Sequence, residues 1–253
     1  MSEIAVVREG SGPEVLLVHG GASPRTTWAG LDPLADRWTL TFVHRRGYPP
    51  SPPTERQDFE VDAVDLAPLL AGRPHVVAHS YGVLGTLIAA AAAPGRVRSL
   101  TLIEPPLNYL APDDPEVARL ERIGDAVLTQ GMDTDPADLR EFLRVAGAPI
   151  GDGPLPEAVL AGVQRAHGAR PTSEARPRLD AIRAAGVPVL VASGDHTPAL
   201  ERICDALAEA LDGERSVHPG AGHFVAAAPG FIDRLETFLR LNPGHRPQPQ
   251  PVR

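Results

Sequence analysis

The chain has no lysine; its 24 basic residues are all arginine, and with abundant alanine, glycine and proline this reflects GC-rich codon usage rather than chemistry. It has one cysteine, Cys204, so no internal disulfide can form, and a small apolar residue within a helix is its simplest role. No run reaches the ~18 apolar residues that a membrane-spanning helix needs, which argues against membrane insertion. Met1 to Gly10 contains Glu3 and Glu9 and no basic segment ahead of an apolar stretch, so no secretory signal is expected and the compartment is expected to be the cytoplasm. Positive charge is also scarce. A formal net charge of −8 leaves no cationic excess for gripping phosphates, which argues against nucleic acid as a partner. Neither a His-Glu-x-x-His segment nor a cysteine pair occurs, and no glycine-rich phosphate fingerprint follows the first strands. The expectation is therefore chemistry without metal or other cofactor.

What is present suits a folded body. Hydrophobic residues are 43% and charged residues 22%, too apolar for a disordered chain. A length of 253 residues fits one α/β core carrying an insertion, without a second independent domain.

The apolar pattern alternates between two periods. Short strand-like runs fall at 4–7, 15–18, 38–43, 74–78, 97–103, 187–192 and 215–218, and the spacer Glu9-Gly10-Ser11-Gly12-Pro13 suits a strand pair made of the first two. Helical periodicity is expected near 27–35, 58–70, 83–93, 198–211 and 230–241. Strand and helix taking turns predict an α/β fold with a mostly parallel sheet flanked by helices. The rhythm breaks over 105–186, where Pro, Asp and Gly punctuate amphipathic segments at 115–130, 136–145, 156–166 and 174–185 with no strand between them. This predicts a helical cap inserted into a core of 1–104 and 187–241, followed by a disordered tail at 242–253. The run Ala89 to Ala93 reads as one closely packed helix rather than low complexity.

The strongest chemical signal is Val76-Val77-Ala78-His79-Ser80-Tyr81-Gly82, where a strand breaks through a small-His-Ser-x-Gly turn directly into a helix. It matches the G-x-S-x-G nucleophile elbow with Ala78 in place of the first glycine. Small residues belong there because a serine on a strained strand-to-helix turn brings its neighbours against adjacent backbone. The turn also aims a helix N-terminus at the reacting carbonyl, so the Tyr81 amide can donate to an oxyanion; the second donor is expected from His19-Gly20-Gly21, at the amide of Gly21. Taken singly, the glycines can be a tight turn and Ser80 a helix cap; occurring in this order, they point to an acyl-transfer site.

A serine hydroxyl needs a base, and His223 lies in a glycine-rich loop, Pro219-Gly220-Ala221-Gly222-His223-Phe224, after the last strand. His19 and His79 sit inside the two backbone motifs and His44 and His218 near strand ends, while His75, His167, His196 and His245 have no comparable loop context. A carboxylate must hold the imidazole tautomer, and two candidates end strands, Glu104 and Asp195. The bland alternatives are a surface loop residue for Glu104 and a cap on the following helix for Asp195. Arg45 and Arg46 can orient an acidic substrate, but structural hydrogen bonding of their loop is the simpler role. Trp28, Tyr81, Tyr109 and Phe224 either line an apolar pocket or fill core.

Taken together, His19-Gly20-Gly21, Arg45-Arg46-Gly47, His79-Ser80-Tyr81-Gly82, Glu104-Pro105-Pro106, Gly194-Asp195-His196-Thr197-Pro198 and Gly220-Ala221-Gly222-His223 resemble bacterial proteins of the α/β-hydrolase superfamily, over about residues 4–241. In that family the acid commonly stands three residues after the glycine ending the penultimate strand, which here is the non-ionisable Thr197. The resemblance therefore implies a relocated acid, Glu104, with Asp195 in reserve. It implies a serine hydrolase cleaving an ester, thioester or lactone with a small apolar acyl group, working as monomer or homodimer. Acyl transfer, C–C bond hydrolysis or lyase chemistry on the same residues, and a non-catalytic small-molecule binder, are the alternatives, since fold does not choose among them. Ser80 in place of an aspartate nucleophile disfavours an epoxide hydrolase or haloalkane dehalogenase.

Overall fold

Runs rich in Val, Leu and Ile form seven strands among the described residues, 4–243, of the structure, a computed structural model. They are β1 (Val6–Glu9), β2 (Glu14–Val18), β3 (Thr39–Val43), β4 (His75–His79), β5 (Ser99–Ile103), β6 (Val189–Ser193) and β7 (Glu214–Val217). Their spatial order is β1-β3-β2-β4-β5-β6-β7; β1 runs antiparallel to β3 and every other pairing is parallel. Residues of β4, β5 and β6 are buried throughout, which is why their sequences read as continuous apolar runs rather than as alternation. The edge strands β1 and β7 are largely exposed.

The helices are α1 (Pro24–Thr27), α2 (Phe59–Leu66), α3 (Gly82–Ala92), α4 (Pro115–Gln130), α5 (Pro136–Val145), α6 (Glu157–Ala166), α7 (Leu179–Ala184), α8 (Pro198–Ala210) and α9 (Phe231–Leu241). Their starts are chemically marked. Asp114 caps α4 by accepting from the amides of Glu116 and Val117, Asp135 caps α5 by accepting from Ala137 and Asp138, and each helix has proline at its first position.

Three expectations differ from the structure. The first two apolar runs do not pair with each other, because β3 lies between β1 and β2; Gly10, at φ +80°, turns the connecting spacer within a tight approach to the Ala35 and Trp38 carbonyls that a side chain would block. The helix expected at 27–35 is divided into α1 and a 3₁₀ turn, Asp32–Asp36, since Pro33 cannot continue an α-helical ladder. The segment at 174–185 keeps only α7, with Pro177 ahead of it and a separate 3₁₀ turn at Thr172–Glu174.

Alternation within β2 divides the core. Leu16 and Val18 pack with α2, α3 and α8 residues such as Phe59, Leu84 and Ile203, while Val15 and Leu17 face Trp28, Trp38, Phe231 and Leu235 on the other side of the sheet. The alanine-rich helix α3 is closely packed: a Cβ on Gly85 would lie 2.7 Å from the Asp62 Cβ of α2. Within 105–186 a smaller cluster joins Val127, Leu139, Leu143, Val159 and Val163 from α4, α5 and α6. No helix among the described residues is long and apolar enough to cross a membrane. The tail from 244 onward, with His245, lies outside the described residues.

Candidate active site

The C-terminal ends of the three central strands carry three non-glycine residues in left-handed backbone conformation: Ser80 after β4 at φ 52°, Glu104 after β5 at φ 51° and Asp195 after β6 at φ 53°. Such conformations are costly for residues with a Cβ and mark places where surrounding structure dictates the backbone. At Ser80 the dictating contacts are visible. A Cβ on Gly20 would stand 2.7 Å from the Ser80 Cβ, and one on Gly82 would stand 2.3 Å from the His19 carbonyl oxygen. The Ser80 amide donates to the Ile103 carbonyl at 2.9 Å, which fixes the bend against the neighbouring strand. Ala78, the departure from the glycine motif, is wholly buried and its methyl group is accommodated in the core.

Glu104 is fully buried. Its Oε1 accepts the Gly194 amide at 2.8 Å, and its Oε2 accepts from His223 Nδ1 at 3.3 Å. Burial pushes its carboxyl up to about 7, opposed by the nearby His196 and by the Gly194 bond. Burial also pushes His223 down to about 3, with His196 adding to the effect, so enclosure in the core disfavours the charged form of each group. With Nδ1 donating to Glu104, His223 is held in the tautomer that leaves Nε2 as the free acceptor.

His223 is placed from three sides. His79 Nε2 donates to the His223 carbonyl at 2.9 Å, and the two rings meet edge to face at 4.5 Å between centroids. The loop below it is tight, since a Cβ on Gly194 would overlap the Gly222 backbone. From above, Gly147, just beyond α5, approaches so closely that a Cβ there would stand 3.0 Å from the His223 Cβ and 2.9 Å from the Phe224 ring. Ser80 is thus one residue from a ring that touches His223. No hydrogen bond of its hydroxyl, to His223 or to any other group, occurs among the described residues.

Asp195 is exposed, and its carboxylate makes no hydrogen bond or ion pair with His223 among the described residues. Nor does it cap α8: its own amide donates to Glu201 Oε1 at 3.0 Å, and Thr197 occupies the cap position without a side-chain bond.

The amides of Gly21 and Tyr81 donate to no other group among the described residues, and the space where a Gly21 side chain would project is open. Their loop is braced by groups whose role sequence left undecided. Arg45, 2% exposed, donates to Asp62 at 2.9 Å, to Gln57 at 2.8 Å and to the Gly20 carbonyl at 2.9 Å. The Tyr48 hydroxyl donates to the Gly21 carbonyl at 2.7 Å. His19 Nδ1 donates to Gly20, and its Nε2 accepts the Arg45 amide at 3.2 Å; burial and the neighbouring guanidinium hold it neutral. Arg46 pairs with Asp65. The Tyr81 side chain reaches the insertion, donating to the Arg170 carbonyl at 3.0 Å.

Of the four aromatic residues, Trp28 fills core and the other three are partly exposed. Cys204 is buried within α8, and burial raises its thiol well above the ordinary range, so it is no nucleophile. Two residues were missed at the sequence level, His79 as the anchor of the His223 backbone and His196 beside Glu104. Neither has a spacing signal, since both contacts span the fold. Glu104, His196 and His223 bring one ligand-type atom each within 4.8 Å of one another.

A family model described as Alpha/beta hydrolase family matches residues 15–234. The chain is 32% identical over 241 residues to 2-(acetamidomethylene)succinate hydrolase of Mesorhizobium japonicum, covering 87% of this chain and 84% of that protein. It is 33% identical over 171 residues to pimeloyl-(acyl-carrier protein) methyl ester esterase of Methylococcus capsulatus, covering 61% and 67%. Among solved structures, a thermophilic esterase from Thermogutta terrifontis superposes with a TM-score of 0.67 at 22% identity, covering 94% of this chain and 93% of that one. A hydrolase from Oleispira antarctica superposes with a TM-score of 0.71 at 17% identity, covering 95% and 96%.

Proposed function

The chain belongs to the alpha/beta hydrolase family, and from that premise we propose that it is a serine esterase acting on a small ester with an apolar acyl group. Ser80 attacks the ester carbonyl, His223 takes the hydroxyl proton at Nε2 and returns it to the leaving alcohol, and Glu104 balances the imidazolium that forms. The amides of Gly21 and Tyr81 hold the developing oxyanion, aided by the N-terminus of α3. Water then enters by the reverse proton route and releases the acid. The observation that carries this reading is the buried contact of Glu104 with His223 at 3.3 Å, made beside the left-handed bend at Ser80.

The named activities of the two sequence relatives, a methyl ester esterase and a hydrolase, support ester cleavage over transfer or lyase chemistry. Residues 105–186 act in this reading as a cap over the site. Gly147 against His223 and the Tyr81 bond to Arg170 support that role.

The test is labelling by a fluorophosphonate, together with hydrolysis of a panel of p-nitrophenyl esters, acyl thioesters and lactones. Wild type is expected to label and to hydrolyse the esters fastest, and Ser80→Ala to do neither. An unlabelled, inactive wild type would instead identify a binder.

A further inference from the structure

His196 stands between two oxygens that can only accept. Its Nε2 lies 2.9 Å from the carbonyl of Val145, the last residue of α5. Its Nδ1 is buried, has no hydrogen-bond partner, and lies 3.6 Å from Glu104 Oε2. A carbonyl never donates, so Nε2 must carry a proton. In a neutral ring Nδ1 would then present a lone pair to a carboxylate oxygen inside the protein, which is repulsive.

One added proton removes the conflict, on either Glu104 or His196. The other contacts of Glu104 decide between them. Both of its oxygens already accept N–H groups, from Gly194 and from His223, and donors of that kind favour the anion. At the other end of the ring, the C-terminus of α5 favours a cation.

We propose that His196 is a positively charged positioning residue that straps the carboxylate of Glu104 to the end of α5, keeping Glu104 ionised for His223 while the insertion is closed over the site. This rests on the esterase reading for its kinetic consequence, but not for its protonation state. The remaining ionisable groups facing the carboxylate are Glu201 and Arg215, paired with each other at 2.6 Å, and the buried thiol of Cys204; His223 lies 6.0 Å from His196 between ring centroids. None of them is both cationic and close enough to replace His196 at Oε2. Burial drives Glu104 toward its neutral form, so loss of the neighbouring cation should make ionisation harder still.

Two measurements test the strap. Ring ¹⁵N spectra of the whole protein at pH 7 should show His196 protonated on both nitrogens; a neutral Nε2–H tautomer would overturn the proposal whether or not the protein is an esterase. The second measurement is the pH dependence of fluorophosphonate inactivation and of ester hydrolysis for wild type, His196→Ala and His196→Gln, with thermal melts to verify folding. Glutamine can still donate to Val145 but carries no charge. Both variants are expected to shift the acidic limb toward higher pH by about one unit, with roughly fivefold slower reaction at pH 7. A limb restored by His196→Gln would reduce His196 to a neutral spacer and refute the charge. If wild type fails to label at all, the esterase reading falls, and the ¹⁵N spectrum still decides the state of His196.

Discussion

Two carboxylates of similar sequence context end adjacent strands, and their surroundings separate them. Glu104 is enclosed and bonded to Gly194 and His223, whereas Asp195 is exposed and not bonded to the imidazole. Glu104→Gln is expected to lower kcat by roughly 10⁴, the reference for removing a triad carboxylate's charge, while Asp195→Asn changes it by less than about threefold. Steady-state kinetics of the two purified variants decides this, and the opposite ranking would move the acid to Asp195. The same environment sets the pH response. The working state of the proposed mechanism has Glu104 ionised and His223 neutral, and both are lost by protonation as pH falls. Because burial lifts Glu104 to about 7 and depresses His223 to about 3, kcat/KM should rise through the neutral range and stay high on the alkaline side. The limb belongs to the coupled pair rather than to either group. A pH profile of kcat/KM already flat from pH 5 to 8 would contradict it.

At the level of elements, the loop of Gly20 and Gly21, proposed to hold the oxyanion, is held by a buried ion pair rather than by its own glycines. Arg45 and Asp62 meet at 2.8 Å with almost no exposure, and the guanidinium also grips the Gly20 carbonyl. Arg45→Ala leaves Asp62 charged and alone in the core, so a loss of about 3–5 kcal/mol in unfolding free energy is expected from denaturant titration. In the insertion, the Asp135 cap secures the start of α5, whose far end meets His196 through Val145. Asp135→Ala should cost about 1 kcal/mol and weaken substrate binding more than turnover, read as a rise in KM with kcat nearly retained.

Across the whole molecule, the helices of 105–186 are held unequally. Val117 of α4 joins the main core, but Leu139, Leu143, Val159 and Val163 of α5 and α6 belong to a small separate cluster. Fewer buried partners mean lower local stability. Hydrogen exchange of the native protein should therefore find the α5 and α6 amides exchanging well ahead of β4, β5 and β6, and equal protection would argue against a mobile cap.

The alternation of apolar strands with amphipathic helices, the proline and aspartate marks at the starts of α4 and α5, and the break in rhythm after Glu104 are local patterns, set by backbone geometry and side-chain shape within a few residues. The sequence alone therefore determined the α/β class, the parallel sheet and the sharp turn at Ser80. Strand order is not local: nothing in residues 4–18 states that β3 will lie between the first two strands. Nor is the company kept by Glu104. Its contacts reach Gly194, His196 and His223, some ninety or more residues away, and only the parallel stacking of β5, β6 and β7 brings those loop ends to one edge of the sheet. Burial and charge at a point in space arise from that convergence, and so the enclosure of Glu104 and its contacts with His223 and His196 were left to the tertiary structure.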